Sequence, residues 1–300
     1  MNWLKKANDK LNLLYKVLSL LKELKVTLGK IQESLGRIEA RQNQHLDSKD
    51  LLSHEFRTFS QWGEDGIIQF LLRHIEVSRK VFVEFGVENY SESNTRFLLV
   101  NNNWSGLVID GDKSNVDHIK NDPIYWRYNL KAVHAFITKE NINIILSENG
   151  IKGDIGILSV DIDGNDYWVW KEISTINPAI VIAEYNSRFG KDRAVTTPYN
   201  ENFVRSHAHY SMIYYGASLK ALYFLAEEKG YTFVGCNSAG NNAFFVRKDL
   251  KPDYIKELTP EEGYVAGKFR EARDANGELL FLKVEEEQKI LSDLPLVEVK

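Results

Sequence analysis

The stretch Val81–Val87, VFVEFGV, constrains the fold more than any other: an apolar run carries a carboxylate, Glu84, just ahead of a glycine turn at Gly86. Three later apolar runs also end in an acid. Gly106–Ile109 runs into Asp110, Ile155–Val160 into Asp161, and Ala179–Ala183 into Glu184. A stretch of helical period holding Asn94 and Phe97–Val100 follows the first run, and Glu84 to Asp110 has the length of one βαβ unit. Alternating β and α segments build a parallel sheet, whose ligands sit outside the carboxyl ends of the strands. Four acids at one such edge predict an α/β fold with its site there. A weaker strand is expected near 129–134. Tyr231–Gly235 and Ala243–Arg247, joined through the turn residues 237–242, are expected to form a closing antiparallel pair.

The 300 residues, 43% of them hydrophobic, suffice for one large core plus an extension. A net charge of −4 runs against the basic excess of a nucleic-acid binder, so no nucleic-acid partner is expected. Cys236 is the single cysteine, which excludes an internal disulfide and a cysteine-based zinc site; it reads as a small buried apolar side chain. The sequence shows no apolar run of spanning length and no secretory leader pattern. A cytoplasmic protein is therefore expected, with the inner face of the membrane as the alternative location.

Residues 1–46 follow another rule. Leu14, Leu21, Leu28 and Leu35 recur every seven residues, and Val17, Leu24, Ile31 and Ile38 follow each by three. A seam over four heptads predicts a coiled-coil helix and a homo-oligomer. Leu11 and Leu18 widen the stripe, and Trp3, Leu4, Lys5 and Lys6 resemble the start of an interfacial helix, so peripheral membrane association is the competing expectation. The seam fades at Gln42 and His45. Residues 47–51 read as a linker, 52–250 as the α/β domain, and 251–300 as a charged extension packing on the domain or on a dimer partner. Ser60, ahead of Glu64 and Asp65, reads as a helix start. The polar and aromatic stretch 187–215 is long for a loop in a compact domain, which marks it as a lid or substrate-binding insertion.

From Ser60 to Asp249 the chain resembles class I S-adenosylmethionine-dependent methyltransferases, and more narrowly the FkbM-like group. The likeness rests on Ser60, Gln61 and Gly63–Asp65, on Val83–Gly86, on Gly106–Asp110, on Leu158–Asp161 with Gly164, and on Lys229–Tyr231, Gly235 and Asn242–Arg247. It implies a Rossmann-like seven-stranded sheet, mostly parallel with the last strand antiparallel, and O-methyl transfer to a hydroxyl of a sugar or glycan. The cofactor so implied is S-adenosylmethionine, and the substrate a cell-surface polysaccharide or related metabolite. Glu88 departs from the family pattern, standing in a first loop that is usually richer in glycine.

On that reading Glu84 reaches the methionine part of the cofactor and Gly86 lets the backbone approach it. Asp110 accepts from the ribose diol, to which a carboxylate offers two oxygens. Gln61 and Asp161 are the further cofactor contacts, and Ser60 a weaker one. Asp161, Asp163, Glu184 and Asn186 offer hard oxygen ligands suited to Mg²⁺ or another divalent cation. Asp163, Glu184 and His207, with His209 beside it, are the candidate catalytic groups. Trp168, Trp170, Tyr185, Tyr214 and Tyr215 read either as a sugar-stacking platform or as core. Two rival readings stand. Asp161 and Asp163 form a D-x-D of the kind that holds a metal and a nucleotide sugar in glycosyltransferases, and the other rival is a non-catalytic methyltransferase-like scaffold.

Overall fold

The computed structural model describes residues 2–300, with side chains at residue 6 and from residue 8 onward. The interfacial start expected at Trp3, Leu4 and Lys5 falls on side chains outside the described residues. The strands are β1 (Val81–Phe85), β2 (Ser105–Asp110), β3 (Leu130–His134), β4 (Gly153–Val160), β5 (Ile176–Glu184), β6 (Val195–Thr196), β7 (Tyr231–Cys236), β8 (Asn242–Arg247) and β9 (Val297–Glu298). Seven of them form one sheet in the order β3-β2-β1-β4-β5-β8-β7. The first five are parallel, and β8 runs antiparallel to both β5 and β7. This is the expected Rossmann-like sheet with its closing antiparallel strand.

β1 is buried at every residue because both faces of the sheet are covered. Val81, Val83 and Phe85 point into one apolar cluster and Phe82 into the other, as a period of two requires. The strand order reverses between β1 and its two neighbours β2 and β4, so the crevice between the connecting loops opens at the carboxyl ends of these strands.

The N-terminal helix α1 (Asn2–Asn43) does two different things along its length. Its last turns are docked. Ala40 is buried with Phe56, Phe59 and Phe97, and a Cβ on Gly36 would lie 2.2 Å from Thr58 Oγ1. Asn43 Nδ2 donates to the His54 carbonyl, and the Arg73 guanidinium donates to the Asn43 carbonyl at 3.1 Å. Residues 47–51 also touch the domain, since His54 Nε2 lies 2.8 Å from the Ser48 carbonyl and Lys49 sits over the Tyr254 ring. The heptad seam faces elsewhere. Its eight members, from Leu14 to Ile38, stay between 43% and 56% exposed. No described helix is long and apolar enough to cross a membrane.

The stretch 187–215 and the tail fold onto each other. β6 pairs with β9, and Phe189, Val195, Ile213 and Tyr214 pack with Ala272 and Leu291. Arg188 holds Glu271 at 3.0 Å and Glu287 at 3.2 Å, an ion-paired knot with the arginine almost fully buried. The extension thus covers its own domain.

Candidate functional site

A cavity of about 680 Å³ opens at the carboxyl ends of β1, β2, β4 and β5. Sheet register explains which acids meet there. Val160 pairs with Ala183, so Asp161 follows directly beside Glu184, and Glu184 itself pairs with Asn242. Gln61, Glu84, Gly86, Asp110, Asp161, Asp163 and Glu184 all line this one cavity.

The β1 side is a loop organised by two carboxylates. Glu84 accepts from Asn94 N at 2.8 Å, Thr95 N at 3.1 Å and the Thr95 hydroxyl. Burial still pushes its carboxyl up to about 7 against those donors. With both oxygens committed to residues 94–95, Glu84 shapes the wall of the cavity, and the expected reach to the methionine part has to pass through that frame. Asp110 accepts from Glu88 N at 2.7 Å and Asp112 N at 2.8 Å, and from the Asn115 amide at 3.1 Å. Glu88 holds the turn at φ +47°, a left-handed conformation in which a glycine would be unstrained. Gly86 has φ +66°, and a Cβ there would lie 1.8 Å from the Asp161 carbonyl oxygen. What approaches Gly86 is therefore the tip of β4.

The β4–β5 side gathers negative charge. Asp161, Asp166 and Glu184 each bring a carboxylate oxygen within 4.8 Å of the others. Asp166 starts the helix Asp166–Glu172 and accepts from Ile162 N at 2.7 Å and Gly164 N at 2.9 Å. Burial raises its carboxyl to about 6 despite those donors. Burial, then the neighbouring acids, hold Asp161 and Glu184 well above the usual carboxylate range. Such a cluster favours a cationic ligand or a shared proton. Arg205, from the short helix Arg205–Ala208, answers part of this charge. It bonds Asp163 and Glu271 at 2.7 Å each and lies 3.7 Å over the Tyr215 ring. Asp163, exposed and at φ +55°, thereby positions Arg205.

Three expectations are corrected. Asn186 does not join the acids: its amide donates to the carbonyls of Ile213 and Tyr215, its oxygen accepts from Arg188 N, and it is fully buried away from the cavity. Its place is taken by Asp166. His207 is exposed and lines no part of the cavity, because the helix of residues 205–208 turns Arg205 inward and His207 outward. Of the aromatic platform, Trp170, Tyr185 and Tyr215 are core, with the Tyr185 hydroxyl bonded to the Val265 carbonyl. The aromatic walls are instead Trp62, Phe136, Phe203 and Phe269, with Trp62 stacked on Phe269 at 5.5 Å. Phe269 and Glu271 come from the tail, whose sequence carries no signal for such a role. Ser60 is spent on Asp65, which collects the amides of residues 58–60. Cys236 is buried, its thiol pushed up to about 12.

The chain is similar to several solved structures at low identity. The N-terminal domain of EvdMO1 with S-adenosylhomocysteine bound is 11% identical, covering 61% of this chain and 79% of its own, at a TM-score of 0.39. TrmK from M. capricolum, in complex with S-adenosylhomocysteine, is 10% identical over 65% and 74%, at 0.37. An S-adenosylmethionine-dependent methyltransferase from Clostridium acetobutylicum is 10% identical over 61% and 89%, at 0.39. No protein-family model and no curated protein matches the chain.

Proposed function

We propose that the chain is an S-adenosylmethionine-dependent O-methyltransferase acting on a hydroxyl of a sugar or glycan. The observation that carries this reading is the convergence of Asp110, Asp161 and Glu184 on one cavity at the switch point of the sheet. Asp110 sits where a ribose diol would be received, at the tip of the second strand. The cofactor, when bound, supplies a cationic sulfonium whose methyl group is transferred. The acids at Asp161 and Glu184 suit that charge. Glu184, whose carboxyl is held above its ordinary range by burial and the neighbouring acids, is the group this reading assigns to take the proton of the acceptor hydroxyl. Trp62 and Phe269 offer apolar faces at the mouth, as sugar rings require.

A metal-assisted form of the reaction fits the same residues. The oxygens of Asp161, Asp166 and Glu184 are hard ligands for a divalent cation such as Mg²⁺, which would lower the pKa of an acceptor hydroxyl. Calorimetry tests both parts. S-adenosylhomocysteine is expected to bind with or without Mg²⁺. Binding of UDP in its place, only with Mg²⁺, would favour glycosyl transfer through Asp161 and Asp163. Silence toward both would favour the scaffold reading.

The exposed seam of α1 is proposed to pair with further copies of this chain, placing a homo-oligomer at the N-terminal end. The domain grips the Gly36–Ala40–Asn43 face, which leaves the heptad face available along its length. Deleting residues 1–31 is expected to reduce the mass in light scattering to that of a single chain. An unchanged mass would place any oligomer contact elsewhere.

A further inference from the structure

Two side chains on the cavity wall each hold a buried acceptor that has no donor. Glu184 Oε2 and Asn242 Oδ1 are both unpartnered, in side chains that are 7% and 4% exposed. Of the other buried side-chain atoms without a hydrogen bond among the described residues, Arg188 Nη1 has its ion pair with Glu271 and none belongs to a residue lining the cavity. Glu184 and Asn242 are register partners on β5 and β8, so their side chains rise from the same face of the sheet as direct neighbours. The orientation of the Asn242 amide is settled by chemistry. Its Nδ2 donates to Glu64 Oε1 at 2.8 Å, and Glu64 also draws the Asn237 amide at 2.7 Å. A carboxylate accepts only, so the Asn242 oxygen must face the other way. A buried acceptor left without a donor is costly, and two side by side call for a ligand that supplies both donors.

We infer that Glu184 Oε2 and Asn242 Oδ1 form a two-acceptor subsite that receives an adjacent pair of hydroxyls on the methyl acceptor. The inference rests on the methyltransferase reading above and adds the residues that orient the substrate. A vicinal diol supplies two O–H donors at the spacing of neighbouring carbons, one for each acceptor. An acceptor with a single hydroxyl leaves one buried oxygen unpaired. The subsite therefore discriminates by diol content, in the way that sites built for hydrogen bonds reject analogues lacking the partner. Asn242 and Glu184 both act by orienting the substrate.

The test uses the full chain saturated with S-adenosylhomocysteine and methyl α-D-mannopyranoside as the diol probe, read by saturation-transfer NMR. The wild type is expected to give a signal that is lost with the 2,4-dideoxy analogue, which keeps hydroxyls but no adjacent pair. In Asn242→Leu the signal is expected to weaken by about tenfold, the equivalent of roughly one hydrogen bond to a buried acceptor. S-adenosylhomocysteine affinity, measured on the same sample by calorimetry, is expected to stay within about threefold. Glu184→Gln serves as a second variant if Asn242→Leu does not fold; its new N–H lies beside Asn242 and would occupy the subsite from within. A tenfold loss of S-adenosylhomocysteine affinity in Asn242→Leu would assign the pair to the cofactor and overturn the inference. So would a mannoside signal absent from the wild type or unchanged in the variants. Absence of S-adenosylhomocysteine binding in the wild type would instead count against the methyltransferase reading itself.

Discussion

Asp110→Ala is expected to weaken S-adenosylhomocysteine binding about 10- to 100-fold, measured by calorimetry. Each hydrogen bond to a charged acceptor is worth about 1.5–3 kcal/mol, and a ribose hydroxyl can take the acceptor site that the three protein donors leave on this carboxylate. The same carboxylate also holds Glu88 N, Asp112 N and Asn115. A disturbed loop would also lower affinity, and Asp112→Ala separates the two causes. Asp112 caps the helix Lys113–Asn121 through Ser114 N at 2.7 Å, so its removal loosens the same segment without removing the ribose acceptor. Affinity within about threefold of wild type is expected for Asp112→Ala. Retained affinity in Asp110→Ala would sink the ribose assignment.

The largest effect on stability is expected at Gly86→Ala, with a loss of about 2–5 kcal/mol. A left-handed alanine costs about 1–2 kcal/mol, and forcing a methyl into packed backbone adds about 1–3. The methyl would meet the Asp161 carbonyl at 1.8 Å, so either β4 or the loop after β1 has to move. Gly150→Ala is the matched control. Gly150 has φ +78° with nothing within 4 Å of the added carbon, so it isolates the conformational cost. In thermal melts the Gly86 variant is expected to fall roughly 6–15 °C, and the control roughly 2–6 °C. Equal shifts would mean that the β4 tip yields freely, and that the loop and Asp161 are not held against each other.

Much of the sheet is readable in the chain because a buried parallel strand has no choice of pattern. Every residue of Val81–Phe85 must be apolar or committed to a partner, and Glu84 is the committed one. The third strand is weaker in the sequence for a physical reason. β3 lies at the sheet edge and alternates buried Leu130 and Ala132 with exposed Lys131 and His134. The anomaly at Glu88 also resolves in the structure. The turn keeps the left-handed conformation and recovers part of its cost by donating the Glu88 amide to Asp110.

The site itself divides differently. The acids at the strand tips follow from sequence alone, since strands ending in Glu84, Asp110, Asp161 and Glu184 share an edge in any parallel arrangement. Tertiary structure decided the rest, because the remaining parts depend on which strands are neighbours and which long-range segments fold back. Register between β5 and β8 set Asn242 beside Glu184, 58 positions later in the chain. The knot of Arg188, Arg205 and Glu271 brought Phe269 of the tail to the cavity mouth. Asn186 left the acid set because the backbone carbonyls of Ile213 and Tyr215, buried and in need of donors, took its amide. Local pattern determines where a strand ends and in which residue; only the packed chain determines what stands across from it.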